Sequence, residues 1–177
     1  MVDHRPWKDR SSDGGLQAIQ AHKKSWAARA KVASGLLTTL PISSVYDFGC
    51  GQMLLKNYLP PTMPYYGYDV ILSPGVRQLD LSGPLPDINP APNSAAVFIG
   101  VLESLGPELD KVLDWVRSQF DYVLIYYTDH RWQKRPTWAT RLPKQEMLNK
   151  IQKIGSIVQS APYGEHTMYV IKSNKGL

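Results

Sequence analysis

"SSVYDFGCGQMLL", Ser43 to Leu55, is the stretch on which the reading of this chain turns. Ser44 to Phe48 is a short β-type run that ends abruptly at glycine. Asp47 stands two residues before Gly49, and Gly51 follows after Cys50. Glycines here let the backbone turn sharply and approach a ligand with no Cβ in the way. In an open α/β sheet such a turn lies beyond the carboxyl end of a strand, where ligands bind. Amides at the start of the next helix are expected to face an anionic group. The dinucleotide pattern G-x-G-x-x-G fails, because Leu54 occupies its third glycine position. Asp47 also suits a positively charged ligand better than a pyrophosphate, so both points argue against NAD.

Outward from this turn, strands and helices alternate. Leu16 to Leu40 is rich in helix formers, with Ile19, Trp26, Ala30, Ala33 and Leu37 approximating one apolar face. Gln52 to Leu59 suits a short helix closed by Pro60 and Pro61. Tyr65 to Ile71 is a predicted strand, and Arg77 to Leu81 a weaker one, followed by a Pro-, Gly- and Asn-rich loop to Ser94. Ala95 to Leu102 and Asp121 to Tyr127 read as buried strands on either side of an amphipathic helix at Pro107 to Phe120. Leu109, Val112, Leu113 and Val116 share that helix's apolar side. A helix from Leu142 to Gly155 precedes two strands, Ser156–Ala161 and Thr167–Ser173, joined as a hairpin. Continuously apolar strands separated by helices predict a mainly parallel sheet covered on both faces, with one antiparallel strand from the hairpin.

Three acids end three consecutive predicted strands: Asp47, Asp69 and Asp80. Singly, each reads as a solvated strand end. Together they read as a site, with Asp69 placed to accept hydrogen bonds from both hydroxyls of a ribose and Asp80 to meet an adenine amino group.

The 177 residues are enough for one domain with a real core. Residues 1–15 are expected to be a flexible lead-in, and 16–177 a single domain with residues 16–40 as a covering helix. One cysteine excludes an internal disulfide, and there is no Cys/His cluster at metal-ligand spacing. No apolar run is long enough to span a membrane, and no apolar signal core precedes the first helix, so the expected compartment is the cytoplasm. Net charge is +5. Asp129 to Lys144 concentrates it, carrying Arg131, Lys134, Arg135, Arg141 and Lys144 against one acid. By charge alone that segment is either an anion-attracting surface or a solvated loop.

At these residues the chain resembles the class I S-adenosylmethionine-dependent methyltransferases, in their small-molecule branch. "VYDFGCG" looks like their first motif, "YYGYDV" like their second and "LDLSGPLP" like their adenine-side segment. "AAVFIGVLESL" is similar to their fourth-strand segment, which often ends in a Leu-Glu-His-Leu-like run; here Ser104 stands in place of the histidine. The resemblance covers roughly Ser43 to Tyr127. It implies a Rossmann-like, doubly wound, seven-stranded sheet with an antiparallel terminal strand, and S-adenosylmethionine as cofactor without a metal. Carried over by motif, Gly49 and Gly51, with Phe48 and Cys50 in the same turn, would line the methionine moiety. Asp47 would act on its amino group directly or through water, Asp69 with Val70 would bind the ribose, and Asp80 with the Leu81 backbone would contact adenine. Gly100 and Val101 would close the pocket beside the sulfonium. Cys50 itself reads as a small buried filler.

Methyl transfer to a hydroxyl needs a base. His130, after the fifth strand, and Glu103, after the fourth, are the candidate catalytic residues, with His166 and His22 as further histidines. His22 lies on the N-terminal helix, which in this family often covers the acceptor. Trp132 and Trp138, interleaved with Arg131 and Arg135, could stack on a ring and grip a phosphate or carboxylate. Alternatively, the tryptophans pack against the sheet edge and the arginines are solvated. After the fourth strand there is no Asn/Asp-Pro-Pro-aromatic sequence, and no Pro-Cys nucleophile occurs, which disfavours an ordinary nucleic-acid base methyltransferase. The preferred expectation is transfer to an anionic small molecule or a glycan-linked acceptor. The alternatives are an RNA methyltransferase that uses the basic segment, or a non-catalytic cofactor- or partner-binding domain.

Overall fold

The computed structural model describes residues 16–127 and 142–175. Its centre is a seven-stranded sheet of β1 (Ser44–Phe48), β2 (Tyr65–Asp69), β3 (Val76–Gln78), β4 (Ser94–Ile99), β5 (Tyr122–Tyr126), β6 (Gly155–Tyr163) and β7 (His166–Ser173), in the spatial order β3-β2-β1-β4-β5-β7-β6. Strands β1 to β5 pair in parallel. Strand β7 is antiparallel to both β5 and β6, so it is the single reversed strand that the hairpin predicts.

Because side chains alternate along a strand, β1 sends Tyr46 and Phe48 to one face and Val45 and Asp47 to the other. The first face packs under α2 (Leu109–Gln119) and α3 (Lys144–Ile154). Its centre is aromatic: Phe48 meets Phe98, Trp115 and Phe120 at ring separations of 5.2, 5.2 and 5.9 Å. Leu109, Val112, Leu113 and Val116 of α2 are buried there, as their spacing requires. The opposite face carries α1 (Leu16–Thr38). Ala30, Ala33 and Leu37 pack with Val45, Ala95 and Val97, and the small residues let the helix lie close to the sheet. Trp26, expected on this buried stripe, is 39% exposed. It follows Ser25, whose backbone oxygen accepts a hydrogen bond from Tyr163 of the hairpin at 2.9 Å.

Local hydrogen bonding shortens several predicted elements. Gln52–Leu59 contains a 3-10 turn, Leu54–Tyr58, in place of an α-helix, because Met53 before it adopts left-handed backbone angles (φ 53). Ser34 Oγ donates to Tyr58 O at 2.7 Å and ties this turn to α1. Strand β2 stops at Asp69, whose carboxylate accepts the Ile71 N–H at 3.0 Å and bends the chain. Strand β3 ends at Gln78, so Asp80 lies past it, with its own carboxylate accepting the Ser82 N–H at 2.9 Å. Strand β4 ends at Ile99, ahead of a left-handed Gly100 (φ 73) and a 3-10 turn at Leu102–Ser104. No helix among the described residues is long and apolar enough to cross a membrane.

Candidate active site

The predicted glycine turn sits at the carboxyl end of β1, flanked by the ends of β2 and β4. Gly49 has φ 73, and a Cβ there would stand 2.7 Å from Cγ2 of Val101, so the position excludes a side chain twice over. Val101 and the turn therefore touch across the gap between β1 and β4, as the sequence reading places them. Gly67, inside β2, is a glycine that reading did not single out. A Cβ there would lie 2.9 Å from Sγ of Cys50, so its absence lets the turn settle onto β2. Cys50 is half-buried against that strand, and burial, with Asp47 and Asp69 nearby, pushes its thiol up to about 12. It is held as an unreactive thiol.

The amides of this turn point inward. Gly49 and Cys50 N–H both donate to Tyr68 O, at 2.8 and 3.0 Å, and Gly51 N–H donates to Oδ2 of Asp69 at 2.9 Å. The turn is thus folded back onto β2, and these three amides already have acceptors. What it offers a ligand is a surface: nothing stands within 4 Å of a Cβ built at Gly51.

Asp69 ends β2. Its two oxygens each accept one backbone N–H, from Gly51 and Ile71. A carboxylate has about four lone-pair sites, so acceptor capacity remains for a diol. Beyond it Val70, Ile71 and Leu72 are exposed, Leu72 to 67%, and make an apolar ledge beside the acid. Leu79 N–H donates to Asp69 O at 2.9 Å, which brings the Asp80–Leu81 segment alongside. Leu81 is buried, and the Asp80 carboxylate is taken by its own turn with Ser82.

Asp47 differs from both. It points to the α1 face and is 4% exposed, and Tyr65 Oη donates to its Oδ2 at 2.7 Å. Burial raises its pKa to about 7; the Tyr65 hydrogen bond opposes the rise, and the charge of Asp69 adds to it. Burial beside Asp47 in turn moves Tyr65 far above the usual phenol range. Tyr65, at the start of β2, left no signal in the sequence. The β1–β2 register sets Gly67 opposite Asp47, and Tyr65 lies two residues before it on the same face of β2.

At the ends of β4 and β5 the structure gathers residues that the sequence reading did not. Gly100 N–H donates to Tyr126 O at 3.2 Å, joining the two strand ends. Over Tyr126 lies the guanidinium of Arg29 from α1, 5.2 Å from the ring centroid. Tyr163 and His166 meet the same ring edge-on at 5.8 and 5.9 Å. Tyr163 Oη donates to Ser25 O at 2.9 Å and ties the hairpin to α1. Glu103 follows β4 and is 4% exposed, while Ser104 turns its hydroxyl back onto Val101 O at 2.7 Å. His22 lies on α1. His130, Arg131, Trp132, Arg135 and Trp138 lie outside the described residues. A shallow, open cleft lies between α3 and the hairpin, lined in part by Tyr127, Lys144, Met147 and His166. Among the described residues, no group of His, Cys, Asp and Glu forms a metal site.

No protein-family model matches this chain, and no curated protein matches it in sequence. Solved structures do match in fold. Magnesium protoporphyrin IX methyltransferase from Synechocystis PCC 6803, with bound SAH, superposes at TM-score 0.68 over 95% of this chain and 93% of its own, at 15% identity. The 1,6-didemethyltoxoflavin-N1-methyltransferase from Burkholderia thailandensis, with its substrate and S-adenosylhomocysteine, gives 0.61 over 89% and 81%, at 12% identity. The methyltransferase domain of bacterial CtHen1-C gives 0.63 over 84% and 98%, at 16% identity. At such identities the likeness is one of fold: the chain has the fold of the class I S-adenosylmethionine-dependent methyltransferases.

Proposed function

We propose that this protein is a methyltransferase that uses S-adenosylmethionine and methylates an anionic small molecule or a glycan-linked acceptor. One observation carries the cofactor: Asp69 ends β2 with unused acceptor capacity, between the open Gly51 surface and an exposed apolar ledge. In this reading the Asp69 carboxylate takes the ribose hydroxyls, Val70 lies against the nucleoside, and the Leu81 backbone stands at the adenine edge. Gly49 and Gly51 admit the amino-acid end, with buried Asp47 behind the turn and Gly100 and Val101 opposite.

When bound, the cofactor supplies a methyl group already activated by a sulfonium. The chain's own task is then to align the acceptor and keep water out. An acceptor hydroxyl must also lose a proton, for which Glu103 and His130 are the proposed bases. The preference for an anionic acceptor rests on the basic segment Asp129–Lys144. A single domain spanning residues 16–177, working in the cytoplasm, completes the proposal.

Calorimetric titration with S-adenosylmethionine and S-adenosylhomocysteine, with NAD as control, tests the cofactor. Micromolar binding of the first two and none of NAD is expected. Asp69→Asn should weaken both by about 2 kcal/mol, as for a hydrogen-bonded charged group. Equal affinity in that variant would remove Asp69 from the site. Binding without methyl transfer to any acceptor pool would make the protein a non-catalytic binding domain.

A further inference from the structure

We infer that Arg29 forms an oxyanion-binding site at the carboxyl ends of β4 and β5, where it takes a carboxylate or phosphate of a molecule bound at that edge of the sheet. The inference rests on the methyltransferase reading and deepens it, because it assigns a ligand group to a residue outside every motif.

Arg29 stands on α1 one residue before Ala30, at the edge of the stripe that packs on the sheet. From there its side chain reaches the sheet's ligand-binding edge. An Nη lies 3.1 Å from where a Cβ of Gly100 would be, so only a glycine there lets the guanidinium come so near. The guanidinium lies over the Tyr126 ring, and that ring is fixed by edge contacts to Tyr163 and His166. A ring under the guanidinium occupies one face of the cation and leaves its N–H bonds, which lie in its plane, to other acceptors. Arg29 Nε is buried, and no acceptor among the described residues meets it. A buried donor with no partner is uncommon in native proteins and calls for a ligand or an ordered water. Arginine offers a planar fork of donors matched to the paired oxygens of a carboxylate or phosphate. Gly100 closes the proposed sulfonium pocket, so an oxyanion at Arg29 comes either from the cofactor's amino-acid end or from the acceptor.

Titration of the full chain and its Arg29→Gln variant with S-adenosylhomocysteine and with 5'-methylthioadenosine, which lacks the amino-acid carboxylate, separates these sources. A carboxylate on Arg29 predicts roughly 10- to 100-fold weaker S-adenosylhomocysteine binding in the variant, with methylthioadenosine unchanged. Arg29→Lys, which keeps the charge without the fork, should recover part of the loss. An acceptor anion predicts that both nucleosides bind unchanged. In that case inorganic phosphate, added to the S-adenosylhomocysteine complex, shifts the Arg29 Nε–H resonance of the wild-type protein in a saturable way. Unchanged nucleoside affinities in Arg29→Gln together with a phosphate-insensitive Nε–H resonance would overturn the inference and leave Arg29 as a ring-stacked structural cation. If neither nucleoside binds the wild-type chain, the cofactor reading fails, and phosphate titration of the free protein still decides Arg29. That resonance also serves if Arg29→Gln does not fold.

Discussion

At the ends of β1 and β2 the backbone does the holding. Three consecutive amides of the glycine turn donate to Tyr68 O and to the Asp69 carboxylate, and two glycines remove the Cβ atoms that would keep the layers apart. At the ends of β4 and β5, rings and long side chains do the same work. Arg29, Tyr126, Tyr163 and His166 come from a helix, a central strand and both strands of the hairpin, and meet through faces and edges. Hydrogen-bonded backbone has few ways to rearrange, whereas stacked side chains exchange rotamers at modest cost. A shared cofactor pocket needs the first kind of rigidity. A site that adapts to one acceptor among many is better served by the second.

The sharpest test of the rigid side is its buried acid. Asp47 has a folded pKa of about 7 against an ordinary 3.8, so between these values the folded state holds a proton that the unfolded state has lost. The stability linked to that proton is fully present below pH 4 or so and is lost as pH rises through about 7. The loss amounts to about 4 kcal/mol at most. Asp47→Asn should flatten the profile of denaturant stability between pH 4 and 8, and an unaltered slope would show that Asp47 is not titrating there.

Next in size are the two glycines of the turn, which the motif treats alike and the structure does not. Gly49→Ala meets Val101 and an unfavourable φ together, and should cost about 3 kcal/mol by denaturant unfolding. Gly51→Ala, at φ 50 with open space around it, should cost about 1 kcal/mol and act mainly on cofactor affinity. Equal losses would mean that Val101 yields and the contact is soft.

Smallest is Tyr163→Phe, which removes the hydrogen bond to Ser25 O on the adaptable side. A partly exposed bond of this kind is worth about 1 kcal/mol or less, and S-adenosylhomocysteine affinity should not change. A loss as large as that of Gly49→Ala would break the contrast between the two ends.

This contrast also explains what the sequence made readable. The β1 turn, Asp69 and the sheet's strand sequence are written in short contiguous stretches, because a strand, its turn and its terminal acid are neighbours in the chain. The reversed strand was legible for the same reason, as a hairpin with a glycine-containing turn. Arg29 and Tyr126 are far apart in sequence, and nothing in "WAARAKV" marks one arginine as the one that reaches the sheet edge. Tyr65 was hidden likewise, since its bond to Asp47 joins two strands and depends on their register. Where the sequence reading erred it did so locally: β2 stops at Asp69 and not at Ile71, and β3 stops at Gln78, short of Asp80 and Leu81.

The placement of β7 between β5 and β6 sets an order on the protein's synthesis. Strand β5, buried along its whole length, pairs with β4 on one side and with β7 on the other. Strand β7 follows the other strands in sequence, and among the described residues β6 pairs with no strand but β7. Until residues 166–173 emerge from the ribosome, the run Tyr-Val-Leu-Ile-Tyr therefore carries an open edge and β6 has no strand to pair with. An apolar strand with a free edge is a template for pairing with another chain. Chains interrupted before β7 should accordingly aggregate, however well the glycine turn has formed.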